Sequence, residues 1–179
     1  MIPDLELQLS VTIKALRDVV LPAINPGNGV ATEQTHLALA TLGMVRAHLP
    51  LRQKLAQTEL NHALAMAQSL DTGATAETAF AAARERAKAV ADNPASGQDE
   101  MEMARLALLE EMERLIADVP TDRFAALGRS CLAAMKPQLD LQRRWAADAG
   151  FDPEATGLPA IDEMLSQSPA NAKGTPVSR

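Results

Sequence analysis

At 179 residues the chain is of single-domain size, and its formal net charge of −6, with no Lys and Arg cluster among stacking aromatics, argues against a nucleic-acid surface. Cys131 is the only cysteine, which leaves no intramolecular disulfide and makes a reducing compartment the simplest setting. Aromatic residues are 2% of the chain, with no Tyr and only Trp145, Phe80, Phe124 and Phe151, so the core must be aliphatic; plentiful Leu, Ala and Met predict an all-α fold.

The first element poses a choice. PDLELQLSVTI, residues 3–13, alternates apolar and polar positions as a half-buried strand does. Yet Leu5, Leu9, Ile13, Leu16 and Val20 form a continuous stripe of three- and four-residue steps, and no other segment alternates over comparable length. The stripe predicts a helix, capped by Asp4 and stopped by Pro22 and NPGNG. The acidic start lacks the basic segment of a signal peptide, and no apolar run approaches the ~20 residues that span a bilayer. A cytoplasmic protein with no membrane partner is therefore expected.

A second helix is predicted from Thr32, as N-cap, to His48, with Leu39, Leu42, Val45 and Leu49 on one face. Ala40, Gly43 and Ala47 suggest a close helix contact beside it. Pro50 then either bends one long helix or sits in a tight connection to a third helix over 51–70. DTGAT ends that helix, with Gly73 suited to the left-handed position. The next helix, over 76–91, shows a narrow seam of Phe80, Ala83, Ala87 and Val90. DNPASGQ is a loop, and Asp99, Glu100 and Glu102 favour the start of a fifth helix over 99–118, with Leu106, Leu109, Glu113 and Ile116 as its rhythm and Leu108 and Leu115 widening the apolar face. Thr121 caps a sixth helix carrying Phe124, Leu127, Cys131, Met135 and Leu139, which reaches Trp145 despite Pro137. Beyond Gly150 only PAIDEML reads as helical. One domain over 1–165 and a flexible, disordered tail over 166–179 are expected. The predicted fold is an antiparallel bundle of five or six main helices.

Candidate chemistry centres on Glu-x-x-His, which occurs as Glu33 with His36 and as Glu59 with His62. Residues three apart on a helix share a face, so each pair could chelate an iron, manganese or zinc ion, as in half of a ferritin-like di-iron site. That site also needs two lone carboxylates; Glu6, Glu102 and Glu110 are available but unmarked by their surroundings. Glu33 has a simpler account in the first turn after Thr32, where the helix dipole favours a negative charge. Glu59 and His62 fall on the stripe Leu55, Glu59, His62, Met66 and Leu70, where a buried hydrogen bond between the two would satisfy both without metal or any other cofactor.

The two pairs are linked through Pro50. A hairpin there puts His36, 14 residues before it, and His62, 12 after it, at nearly the same height, about 21 Å and 18 Å from the turn. A kink holds them up to about 39 Å apart. Leu49 is a poor N-cap, which favours the kink, whereas the change of apolar face around Pro50 tips the expectation to the hairpin.

Cys131, on the apolar face of its helix with no His or Asp nearby in sequence, reads as a packed thiol. Met101, Met103, Met112 and Met135 read as core or as the lining of an adaptable groove, while EEMER and RERAK read as solvated charged faces. GNG lacks the rest of a dinucleotide site, and no P-loop, Gly-x-Ser-x-Gly or Cys-x-x-Cys is present.

PDLELQ, KALRDVV, EQ at 33–34, ATLGMVR and LPL together resemble the N-terminal third of a group of small all-helical bacterial proteins without assigned activity. The resemblance covers residues 3–52 and implies a bacterial origin; it carries no catalytic motif and no site residue. With no assembled catalytic set, the expected function is a non-enzymatic helical module that binds a protein partner or itself, as a homodimer. The alternatives are a carboxylate–histidine metal bundle using Glu33, His36, Glu59 and His62, and a carrier of an apolar, acyl-type ligand.

Overall fold

The opening alternation folds as helix. In the computed structural model, which describes residues 4–70, 78–117, 121–147 and 152–166, α1 spans Leu5–Ala15 and the Asp4 carboxylate caps it by accepting the Glu6 N–H at 3.0 Å. At about 100° per residue, Leu9, Ile13 and Leu16 fall on one side and Leu7 and Val11 on the opposite one. The former are half-buried, whereas Leu7 and Val11 are 61% and 59% exposed, so the alternation records two apolar helix faces rather than one strand face.

Leu16–Val20 continue as a π-helical turn in which the Leu21 N–H reaches the Leu16 carbonyl, and α2, Leu21–Ala23, ends the run. Pro22 explains the widened turn: it lacks an N–H, and its ring would press on the carbonyl four residues earlier in a regular helix. The chain reverses through 24–28 into α3, Gly29–His48, whose N-cap is Asn28, accepting the Ala31 N–H at 3.1 Å. The expected cap, Thr32, lies inside the helix with its hydroxyl bonded to the Asn28 carbonyl at 3.2 Å. Glu33 thus stands beyond the first turn, which holds no acid, and the helix dipole no longer accounts for it. α1 and α3 run antiparallel, tied by Arg46 donating to the Ser10 hydroxyl at 3.3 Å. The expected close contact at Gly43 is not made: a Cβ there would meet nothing within 4 Å, and Ala40 and Ala47 are exposed.

Pro50 kinks the chain rather than reversing it. From His48 to Arg52 every described cap residue keeps right-handed helical angles, and a single 3-10 turn, Leu49–Leu51, joins α3 to α4, Arg52–Ser69. α3 accordingly does not pack along α4, against the expected hairpin. A proline in the first turn after the bend loses no helical hydrogen bond, so the poor cap at Leu49 does not matter.

The core begins at α4. It joins α5, Thr78–Asp92, α6, Gln98–Ala117, and α7, Thr121–Ala147, through Leu60, Ala63 and Ala67 against Phe80, Ala83 and Ala87, with Met101, Ala104, Leu108, Met112 and Cys131 completing the cluster. The stripe of α6 is rotated from the expected one: Leu106 and Glu113 are exposed, and Ala104, Leu108 and Met112 face inward. Gln57 on α4 donates to the Ala91 carbonyl at 3.2 Å and Gln53 to the Ser96 carbonyl at 2.9 Å, so α5 runs antiparallel to α4 and α6 returns parallel to it. α7 descends antiparallel to α4. The alanine seam lets α5 lie close to its neighbours.

The bundle is sheared. α4 and α6 pack directly across what would be a diagonal, α5 covers one side, and α7 leans on α4 while hardly meeting α6. A cleft between α6 and α7 results. A 3-10 turn, Pro153–Gly157, and α8, Ile161–Ser166, complete the described chain; no described residue forms a strand, and the fold is all-α. Ser166 closes α8 rather than opening a tail, while Gly73 and residues 167–179 of the expected tail lie outside the described residues.

Candidate functional site

The second Glu-x-x-His pair sits where α4 meets α7, and a residue invisible to sequence reasoning joins it. The Gln138 amide donates to the Glu59 carboxylate at 2.9 Å, while its oxygen lies 3.0 Å from the His62 Nδ1. One side-chain amide thus holds both groups, in place of the expected direct Glu59–His62 hydrogen bond. This geometry sets His62 as the donor at Nδ1. Glu33 and His36 stand exposed on α3, on the far side of the Pro50 kink from Glu59 and His62, and the two pairs are not brought together. Glu6 is exposed on α1, Glu110 pairs with Arg114, and Glu102 is exposed on α6. Among the described residues no three His, Cys, Asp or Glu side chains group so as to hold a metal ion.

Gln138→Ala is expected to destabilise the protein by about 1–2 kcal/mol, because two part-buried polar groups lose their partner. Urea unfolding of the two proteins measures it. A change below about 0.5 kcal/mol would mean that water replaces the amide without loss.

Two adjoining cavities share Glu59 of this network. One, of about 480 Å³, is walled by Met66, Leu109, Leu132, Met135 and Leu139 and closed at one end by Glu59, His62 and Gln138. The other, of about 430 Å³, lies at the kink and is bounded by His48, Arg52, Gln98, Glu102 and Trp145. Glu59 and Arg105 line both. His48 is buried and stacks on Trp145 with ring centroids 4.0 Å apart, which fastens the end of α3 to the end of α7. Of the four methionines expected at a groove or core, Met101 and Met112 are core, Met103 is exposed, and Met135 lines the apolar cavity with Met66.

Cys131 is buried, and burial pushes its thiol up from the ordinary range, the environment of an inert packed thiol. Outside the cleft, Arg143 Nε donates to Asp152 at 2.7 Å, and Asp152 also accepts the Ala155 N–H. The Arg143 hydrogen bond, followed by the backbone donors, holds the Asp152 carboxyl below the usual aspartate range. A depressed folded pKa stabilises the protein above the unfolded value, and that stabilisation disappears as pH falls through the folded value. The wild-type protein should therefore lose stability on acidification below about pH 4 more steeply than Asp152→Asn, as urea midpoints down to about pH 2 would reveal. Parallel curves would show that the pair adds nothing.

These features define an all-α protein: a four-helix core with an open cleft, and an N-terminal helical hairpin carried on a kinked helix. No helix of the described residues is long and apolar enough to cross a membrane. Comparison of the chain with protein families, curated proteins and solved structures finds no match.

Gln138, Arg105 and the His48–Trp145 stack escaped sequence reasoning. Gln138 and Arg105 are far from Glu59 in sequence and belong to no motif. The stack carried one signal: the sole Trp falls at a helix end, where a large ring has to find a partner on another element.

Proposed function

We propose that the chain is a non-enzymatic self-association module, pairing with a second copy through the helical hairpin of α1 and α3. One observation carries the reading: no side chain between residues 4 and 47 is buried, although Leu5, Leu9, Ile13, Leu16 and Val20 of one helix run beside Leu39 and Leu42 of the other. Two helices alone shelter only the line between them, and a second layer is needed to bury an apolar stripe.

A second hairpin laid over the first gives a symmetric four-helix arrangement in which each stripe is covered by its copy. The 20-residue α3 is about 30 Å long, and two packed helices are about 20 Å across, so the hairpin offers on the order of 600 Å² of flat face. That approaches the roughly 800 Å² per partner of a standard stable interface. The exposed Leu7 and Val11 lie on the opposite side, outside this contact.

The expected result is a dimer mass by light scattering at tens of micromolar protein. Ile13→Asp combined with Leu39→Asp is expected to give monomers with the circular dichroism of a folded core. A monomer mass for the unaltered protein counts against the reading, as does a dimer that survives both substitutions.

A further inference from the structure

Distinct from the hairpin, the cleft of the sheared bundle joins a covered cation to an apolar wall. Arg105 stands at the junction of the two cavities with its side chain largely covered, and the nearest carboxylate oxygen, of Glu59, is 3.9 Å from its Nε. That is an ion pair without a hydrogen bond. No described residue accepts from the guanidinium, although a covered arginine ordinarily spends its planar fork on acceptors. Glu59 is meanwhile held by Gln138, which keeps it from closing on Arg105.

From this cation the apolar walls of α4, α6 and α7 lead away. Leu132, Met135 and Leu139 project from α7 at 69%, 48% and 55% exposure, at helical spacing along one face, opposite the half-buried Leu109 and beside Met66. α7 turns this face toward α6 without packing on it, so the residues are spaced apart by a gap rather than by a neighbour. The cavity volume falls in the range of roughly 300–1,000 Å³ usual for small-molecule sites, and its apolar wall is interrupted by Glu59, His62, Arg105, Lys136, Gln138 and Gln142.

We propose that this cleft binds an amphiphile with a carboxylate head and an unbranched apolar tail, the head taken by the Arg105 fork and the tail laid between α6 and α7. A carboxylate matches the guanidinium in shape, and two parallel N–H···O bonds would satisfy donors that the protein leaves without acceptors. The tail would cover Leu132, Met135 and Leu139, whose exposure is otherwise unfavourable. Flexible methionine side chains on the α4 and α7 walls, Met66 and Met135, suit a chain of variable length.

Trp145 lines the neighbouring cavity, which shares Arg105 with the cleft, and is the only tryptophan in a chain without tyrosine, so its emission reports on that one place beside the head site. The experiment is titration of the full chain with decanoate below its micelle concentration, read by Trp145 fluorescence and by calorimetry. Decyltrimethylammonium and decanol serve as probes with the same tail and a different head. Saturable binding of one decanoate per chain is expected, with the cationic and neutral probes weaker. Arg105→Gln should weaken decanoate binding by about tenfold or more while leaving decanol unchanged, and Met135→Glu should weaken both. Met135 is exposed, so its variant folds, and thermal melts check the Arg105 variant. Absence of saturable binding, equal affinity for the cationic probe, or a folded Arg105→Gln protein with undiminished decanoate affinity each overturns the proposal. Dimer formation through the hairpin is read independently by mass and does not enter these outcomes.

Discussion

Phe80→Ala is expected to lower the unfolding free energy by about 3–5 kcal/mol, more than any other truncation among the described residues. Phe80 is 2% exposed and is the largest fully buried side chain among the described residues, set among the alanines of α4 and α5. Alanine neighbours have no side-chain freedom with which to move into a void, so the transfer loss is compounded by a cavity that cannot collapse. Arg84 lies 6.0 Å from the ring centroid, near the limit of a cation–π contact, and adds little. That is a large share of a total stability of about 5–15 kcal/mol, and at the low end of this range it leaves the variant partly unfolded at ambient temperature. Leu7→Ala, on the exposed face of α1, provides the contrast at within about 0.5 kcal/mol. Urea unfolding monitored by circular dichroism measures both. A loss below about 1 kcal/mol for Phe80→Ala would mean that α5 is not an integral wall of the core.

Phe80 also shows how far sequence reasoning reaches. The seam Phe80, Ala83 and Ala87 was legible because one face of α5 is apolar and the other charged, a contrast that fixes the helix rotation. α6 lacks that contrast: Leu106, Leu108 and Leu109 surround the helix, so the buried stripe through Leu108 was set by which neighbour came close, a tertiary fact. Pro50 failed for a related reason. The change of apolar face around it is real, but it reflects α3 serving the hairpin and α4 serving the core, not a reversal of the chain. Glu59 and His62 were rightly marked as polar groups on an apolar face. Their partner could not be, since Gln138 arrives from α7 only once the bundle shears, and Arg105 gains its place between two cavities from the same displacement.

Leu9→Pro should separate the hairpin from the core. The ring removes the backbone bond from residue 9 to the Leu5 carbonyl and collides with that carbonyl, at a cost of about 3 kcal/mol or more. In α4 such a loss would be shared by a whole buried layer. In α1 it falls on an element with no buried side chain, held to α3 by half-covered leucines and the Ser10–Arg46 hydrogen bond. Helices of 11 residues are marginal without packing, so α1 as far as the π turn should melt locally. Leu60, Phe80 and Leu108 do not touch it and should keep the core's own midpoint. Backbone chemical shifts of residues 5–20 are expected to move to coil values while those of α4–α6 stay in place, and the dimer mass should fall to that of a monomer. A single cooperative transition displaced by the full 3 kcal/mol, with α1 and α4 shifts lost together, would instead make the hairpin part of one folding unit with the bundle.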